Sequence, residues 1–264
     1  EITIPASVTS IGNQCFSSNK LTKITFVERT EAPEMGSKIF SGNQALKSFT
    51  FPDWLTQIPE GIFNWCPNLS TLENFKPTDI GESAFNQCYR LQLGSLPESV
   101  TAINKSAFKE CGTSLATDQF FIDELLISDN VTIADNAFSK AKIRTLVVNG
   151  SDEYFKDKSK FGSDVFADVT SITSVSFPDE MTRIPDGFCK GWKNLEEVNW
   201  PLKLTALGKS AFEDCSKLLT GEFDFSNAPW NQITEYGDYS LAGNNFTSIK
   251  WPETGDGITI GKGL

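Results

Sequence analysis

The chain has 264 residues, 39% of them hydrophobic and 12% aromatic, with a formal net charge of -11 at pH 7 and no histidine. That much apolar material can build a large core, while the charge sets the chain against nucleic acid and anionic lipid surfaces. No run of about eighteen apolar residues exists, so nothing in this segment is expected to insert in a bilayer. Without histidine, neither a Ser-His-Asp nor a Cys-His arrangement can be assembled.

In chain order the sequence repeats itself. The clearest copy runs from Leu46 to Leu69: Leu46, Phe49 and Phe51, then Pro52, then Leu55, Ile58, Phe63 and Cys66, with Leu69 opening the next copy. The same columns recur in Leu195, Val198, Trp200, Pro201, Leu204, Leu207, Phe212, Cys215 and Leu218. An anchor column runs Phe16, Phe40, Phe63, Phe85, Phe108, Phe138, Phe166, Phe188, Phe212 and Leu241, at intervals of 22–30 residues. A repeat in the twenties is the signature of a solenoid.

Each unit opens with period-two alternation, as in Phe49-Thr50-Phe51, Val175-Ser176-Phe177 and Val198-Asn199-Trp200, which predicts a strand. Pro5, Pro52, Pro97, Pro178, Pro201 and Pro252 close these strands, because proline has no N–H for a ladder. Successive units run the same way, so one parallel sheet is predicted. The rest of each unit returns through turns rich in Gly, Asn and Ser, with room for a short helical turn before the anchor. A single domain over residues 1–264 is expected, with insertions near 112–119, 150–160 and 221–232. The charged insert Gly150–Lys160 reads as a solvated loop. Glu1-Ile2-Thr3-Ile4-Pro5 matches the middle of a unit, and Ile260-Gly261 a pair that precedes an anchor. The segment is therefore expected to be cut at both ends from a longer protein whose export signal lies elsewhere.

Cys66, Cys88, Cys111 and Cys215 each stand three residues after an anchor, where other copies have Asn19, Asn43, Ala141, Val169 and Gly191. A column open to Ala and Val selects small buried side chains, and free cysteine packs as one. Neither Cys-x-x-Cys nor histidine is present to complete a zinc site. Gly255-Asp256-Gly257 and the run Asp152–Asp157 lack EF-hand spacing and read as solvated turns. No cofactor or metal is expected.

The pattern Leu-x-x-Ile-x-Ile-Pro-x-x-Val-x-x-Ile-Gly-x-x-Ala-Phe-x-x-Cys resembles the BspA-like leucine-rich repeat. It is carried by Ile2–Gly12 and by Leu96–Ile103 running on to Ala107-Phe108, with Gly94 and Leu241 as departures. The resemblance implies an α/β-type leucine-rich-repeat solenoid, mostly β. The form expected is a right-handed curved superhelix of about ten repeats with one parallel sheet and little regular helix. It also implies an exported or cell-surface bacterial protein, similar to adhesins, that binds an extracellular protein and is not an enzyme. Such a chain is expected to be a monomer. The alternatives are a glycan-binding accessory and a structural spacer.

If the aliphatic columns face inward, the residues between them face outward. This places Lys23, Thr25, Ser48, Thr50, Thr71, Glu73, Leu93 and Ser95 in one row, continued by Glu124, Leu126, Thr145, Val147, Ser174, Ser176, Glu197 and Asn199. Glu222, Asp224, Ser248 and Lys250 end it. Hydroxyls and acids there could hydrogen-bond an extended partner, although Ser and Thr also simply suit exposed strands. Trp200 and Trp251 fall in an inward column. Trp54, Trp65, Trp192 and Trp230 fall in turns, where a ring can seat a partner, stack on a sugar or pack over a neighbouring unit.

Overall fold

The computed structural model describes residues 1–227, 230–251 and 257–263. Pro252, Gly255, Asp256 and the Ala228-Pro229 part of the third insertion lie outside the described residues. Backbone contacts cluster into two compact units. The first holds Glu1–Asp123, Asn130–Lys142 and Phe161–Val165; the second holds Glu124–Asp129, Ile143–Lys160 and Phe166–Leu264. Both are stacks of coils whose strands pair in parallel.

The alternating segments form the predicted strands. In the first unit Ile2–Ile4 pairs with Ile24–Phe26, and Ser48–Thr50 with Thr71–Glu73. In the second a four-stranded sheet runs Ile122–Ser128 (from Glu124 on), Ile143–Asn149, Ser174–Ser176 and Glu197–Asn199. A further pair joins Thr220–Asp224 to Asn245–Lys250. The register is in phase with the repeat: Leu146, Val175 and Val198 lie side by side. Leu146 and Val175 are buried and Val198 half-buried.

A second ladder of two-residue strands accompanies the first. It comprises Ser10–Ile11 with Glu34–Met35, then Gln57–Ile58, Asp79–Ile80, Ala102–Ile103 and Thr132–Ile133 in order. In the second unit Arg183–Ile184, Ala206–Leu207, Glu235–Tyr236 and Thr259–Ile260 do the same. These are the aliphatic positions that stand five residues before each anchor. Several are followed by glycine, and the coil spacing explains it. A Cβ on Gly81 would stand 2.4 Å from the Ile58 carbonyl oxygen, and one on Gly208 2.4 Å from Asp186 Oδ1. Asp186 Oδ1 is itself occupied, accepting the Lys209 N–H of the next coil at 3.0 Å.

The anchor turn is built by two left-handed residues that flank it. Gly61 and Trp65 surround Phe63, Ser83 and Gln87 surround Phe85, and Ser106 and Glu110 surround Phe108, all at positive φ. For a residue with a side chain this conformation costs roughly 1–2 kcal/mol. It turns the backbone so that each anchor N–H reaches the next coil: Phe63 to Ala84 O (2.9 Å), Phe85 to Ala107 O (2.8 Å) and Phe108 to Ala137 O (2.8 Å). The rings follow the backbone. Phe16, Phe40, Phe63, Phe85, Phe108 and Phe138 stack at centroid distances of 5.9, 5.9, 5.8, 5.4 and 5.6 Å.

The cysteine column lies inside, as its tolerance of Ala and Val implies. Cys66, Cys88 and Cys111 are fully buried, and each thiol donates to the anchor carbonyl of the preceding coil: Phe40, Phe63 and Phe85, at 3.4, 3.4 and 3.2 Å. Asn43 uses its amide the same way, donating to Phe16 O and Phe40 O. All six cysteines are free, and Cys15 alone is exposed. Burial pushes the Cys66 and Cys215 thiols up to about 12.

Two expectations need correcting. In the eighth coil the anchor is Cys189, not Phe188. The Cys189 N–H donates to Ala211 O, the left-handed pair is Gly187 and Gly191, and the Cys215 thiol donates to Cys189 O. Trp192, fully buried, fills the slot three residues on, so small and large side chains have exchanged places. Gly191 therefore does not belong to the cysteine column. The charged insert is also more than a solvated loop. Asp152–Lys156 is a helix capped by Ser151, whose side chain accepts the Tyr154 N–H, and Tyr154 and Phe155 enter the core. The Asp152 carboxylate accepts from the Thr182 N–H and hydroxyl.

Candidate binding face

Strand alternation positions the outward row. Lys23, Thr25, Ser48, Thr50, Thr71, Glu73, Glu124, Leu126, Glu197 and Asn199 are exposed; Thr145, Ser174 and Ser176 are partly so. The row is knit along the coils. The Thr50 hydroxyl donates to Glu73 Oε2 at 2.6 Å, the Ser174 hydroxyl to Thr145 Oγ1 at 3.1 Å, and Asn199 Nδ2 to Ser176 Oγ at 3.2 Å. A partner that hydrogen-bonds here competes with bonds already made, so polar contacts on this face add little net energy.

The broadest continuous stretch is the four-stranded sheet of the second unit. Its outward side carries Glu124, Leu126, Thr145, Val147, Ser174, Ser176, Glu197 and Asn199. Leu126 is 50% exposed, and Val147, beside Ser176 in the register, is half-buried. They are the aliphatic positions in a row otherwise made of hydroxyls, amide and acids. At the far end Asp224 accepts from the Ser226 N–H and hydroxyl, which holds its carboxyl below the usual range.

The four turn tryptophans separate. Trp192 (0% exposed) packs against Phe166 and Phe188, and Trp230 (6%) against Trp200, Phe223 and Phe225. Neither offers a face to a partner: one fills an anchor-turn slot, and the other begins a short 3-10 turn, Trp230–Gln232, that tucks inward. Trp65 is 47% exposed in a left-handed conformation. Trp54 is half-buried, edge-on to Phe26 at 5.2 Å, with the Arg29 guanidinium 5.8 Å from both rings. Of the two tryptophans expected in the core, Trp200 and Trp251 are half-buried, and Trp251 stacks on Phe225 at 4.7 Å.

A shallow groove of about 510 Å³ lies in the first unit, on the second ladder, lined by Pro33, Met35, Trp54, Gln57, Asp79 and Asn104 among others. Sequence reasoning passed over it. Its signal was Pro59, which stands where Gly36 and Gly81 of the neighbouring coils donate an N–H. No helix among the described residues is long and apolar enough to cross a membrane.

Short parallel strands in two ladders, with a turn-borne interior anchor between them, define a leucine-rich-repeat solenoid. A family profile described as "BspA type Leucine rich repeat region" matches residues 1–116 and 131–261 in 6 copies, and the chain belongs to that family. A leucine-rich repeat protein from Bacteroides ovatus ATCC 8483 is similar in structure, with a TM-score of 0.61 at 22% identity. The match covers 94% of this chain and 66% of that one, so the chain spans about two thirds of its length. The T. pallidum leucine-rich repeat protein TpLRR matches at a TM-score of 0.46 and 20% identity, over 79% of this chain and 81% of that one. No curated protein matches the sequence.

Proposed function

We propose that this is a non-enzymatic binding protein of the extracellular space or cell surface, adhesin-like, that holds a protein partner against the outward side of its first ladder. The observation that carries the reading is the four-stranded face of the second unit, where Leu126 and Val147 sit among exposed polar positions. Aliphatic side chains open to solvent beside polar ones are the kind of anchor that a protein partner buries. Membership of a repeat family that presents broad surfaces supports the same reading, as does the absence of histidine from the sequence.

The test is an array of fibronectin, laminin and fibrillar collagen probed with the purified chain. Saturable binding to at least one is expected, with Leu126→Arg plus Val147→Arg weakening it by about 2 kcal/mol or more. Binding to none of them, or binding untouched by the double substitution, contradicts the proposal.

A further inference from the structure

The second ladder of the first unit opens between Glu34–Met35 and Gln57–Ile58, and the reason is local. In the neighbouring coils the residue after the aliphatic position donates backward: Gly36 to Ile11 O at 2.8 Å and Gly81 to Ile58 O at 2.9 Å. The equivalent bond from position 59 to Met35 cannot form, because Pro59 has no N–H. The bonds that tie Glu34 to Thr9 and Thr78 to Thr56 also have no counterpart between Thr56 or Gln57 and Pro33. The strands part, and the groove of about 510 Å³ fills the gap. That volume lies within the range of about 300–1,000 Å³ usual for small-ligand sites.

The lining has two characters. Trp54, Met35 and Pro33 supply an apolar wall, and Trp54 is held in place by Phe26 and the guanidinium of Arg29. Arg29 is itself fixed by bonds to Val8 O (2.8 Å) and Pro5 O (2.6 Å). Facing that wall are planar polar groups. Asn104 Nδ2 donates to Asp79 Oδ1 at 2.7 Å, which leaves Asp79 Oδ2 and Asn104 Oδ1 as acceptors, while the Gln57 amide makes no bond among the described residues. No lysine or arginine lines the groove, and Asp79 brings a carboxylate.

We propose that this groove binds a neutral saccharide. A sugar ring offers an apolar face to an indole and hydroxyls that both donate and accept, which matches free acceptors beside a free amide. The carboxylate, in a lining without lysine or arginine, disfavours phosphate and acidic sugars. An added peptide strand is a poorer match, because the open edge is only two residues long and few main-chain bonds are on offer.

The groove shares no residue with the sheet face of the second unit, and its test is independent. Saturation-transfer NMR of the intact chain with lactose, maltose, cellobiose and diacetylchitobiose is expected to show saturable binding of at least one. Gln57→Ala, on an exposed side chain, should weaken it about tenfold. Trp54→Ala should abolish it, with the melting temperature read alongside. Binding of none of these sugars, binding indifferent to Gln57→Ala, or tighter binding of sialyllactose than of lactose overturns the proposal.

Discussion

The two units solve the same packing problem with different side chains. In the first, six phenylalanines stack from Phe16 to Phe138, each nearly parallel to the next at 5.4–5.9 Å. In the second, the anchors are Phe166, Cys189, Phe212 and Leu241, and the large ring of the eighth coil is Trp192. Phe166 meets Trp192 and Phe188 edge-on, at 83° and 65°. What the two share is backbone: the left-handed pair around each anchor and the N–H that reaches to the next coil. Coil geometry therefore belongs to the turn, and the slots inside it require filled volume more than a particular residue.

This contrast can be pressed by substitution. The largest effect is expected at Phe85→Ala, which empties a fully buried slot between two stacked rings and should cost about 3–5 kcal/mol in chemical denaturation. The equivalent change in the second unit, Cys189→Ala, removes only a sulfur and should cost well under half of that. Equal costs would mean that the two anchors do not occupy equivalent slots. Next in size, Gly81→Ala and Gly208→Ala force a Cβ to 2.4 Å from an atom of the preceding coil, and each should cost roughly 1–3 kcal/mol. Similar values in the two units would show that coil spacing is common to both, whatever fills the interior.

A smaller effect comes from alkali. The buried thiols of both units hold their protons above the reference value of 9.0, with Cys66 and Cys215 near 12. Above pH 9 the unfolded chain ionises these thiols and the folded chain does not. Their contribution is therefore whole below 9 and declines as pH rises toward about 12, by at most ~1.4 kcal/mol per pH unit for each thiol. Denaturation midpoints measured from pH 7 to 10 check the sign.

Much of this was readable from the letters. The anchor column apart from its eighth member, the cysteine column apart from Gly191, and the strand phase follow from periodicity; Pro5, Pro52, Pro178 and Pro201 follow their strands as expected, whereas Pro97 follows only an isolated bridge at Gly94. The misplaced anchor is instructive. Phe188 carries the expected letter, but Ile184 lies five residues before Cys189, and Gly187 and Gly191 flank Cys189 symmetrically. Turn geometry was the stronger signal, and a phenylalanine one residue away masked it. The second ladder was hidden for another reason: two residues are too few to show alternation. Tyr154 and Phe155 disappeared into a run of charges, although a paired aromatic inside such a run is itself a sign of burial. On the candidate face, strand phase identified which residues point outward, but not that Leu126 stands half exposed among them. The groove beside Pro59 depends on a missing hydrogen bond, which no column of side chains displays.

The central claim is that the turn fixes two interior slots, the anchor and the position three residues on, between which the eighth coil has exchanged volume. The direct measurement is a double-mutant cycle at Cys189 and Trp192. Trp192→Cys alone should cost about 3–5 kcal/mol and Cys189→Phe alone about 1–3 kcal/mol. The account predicts that the double variant, restored to the Phe-and-Cys pair of the first unit, returns to within about 1.5 kcal/mol of the original chain. A double variant as unstable as the sum of the two single changes would contradict it.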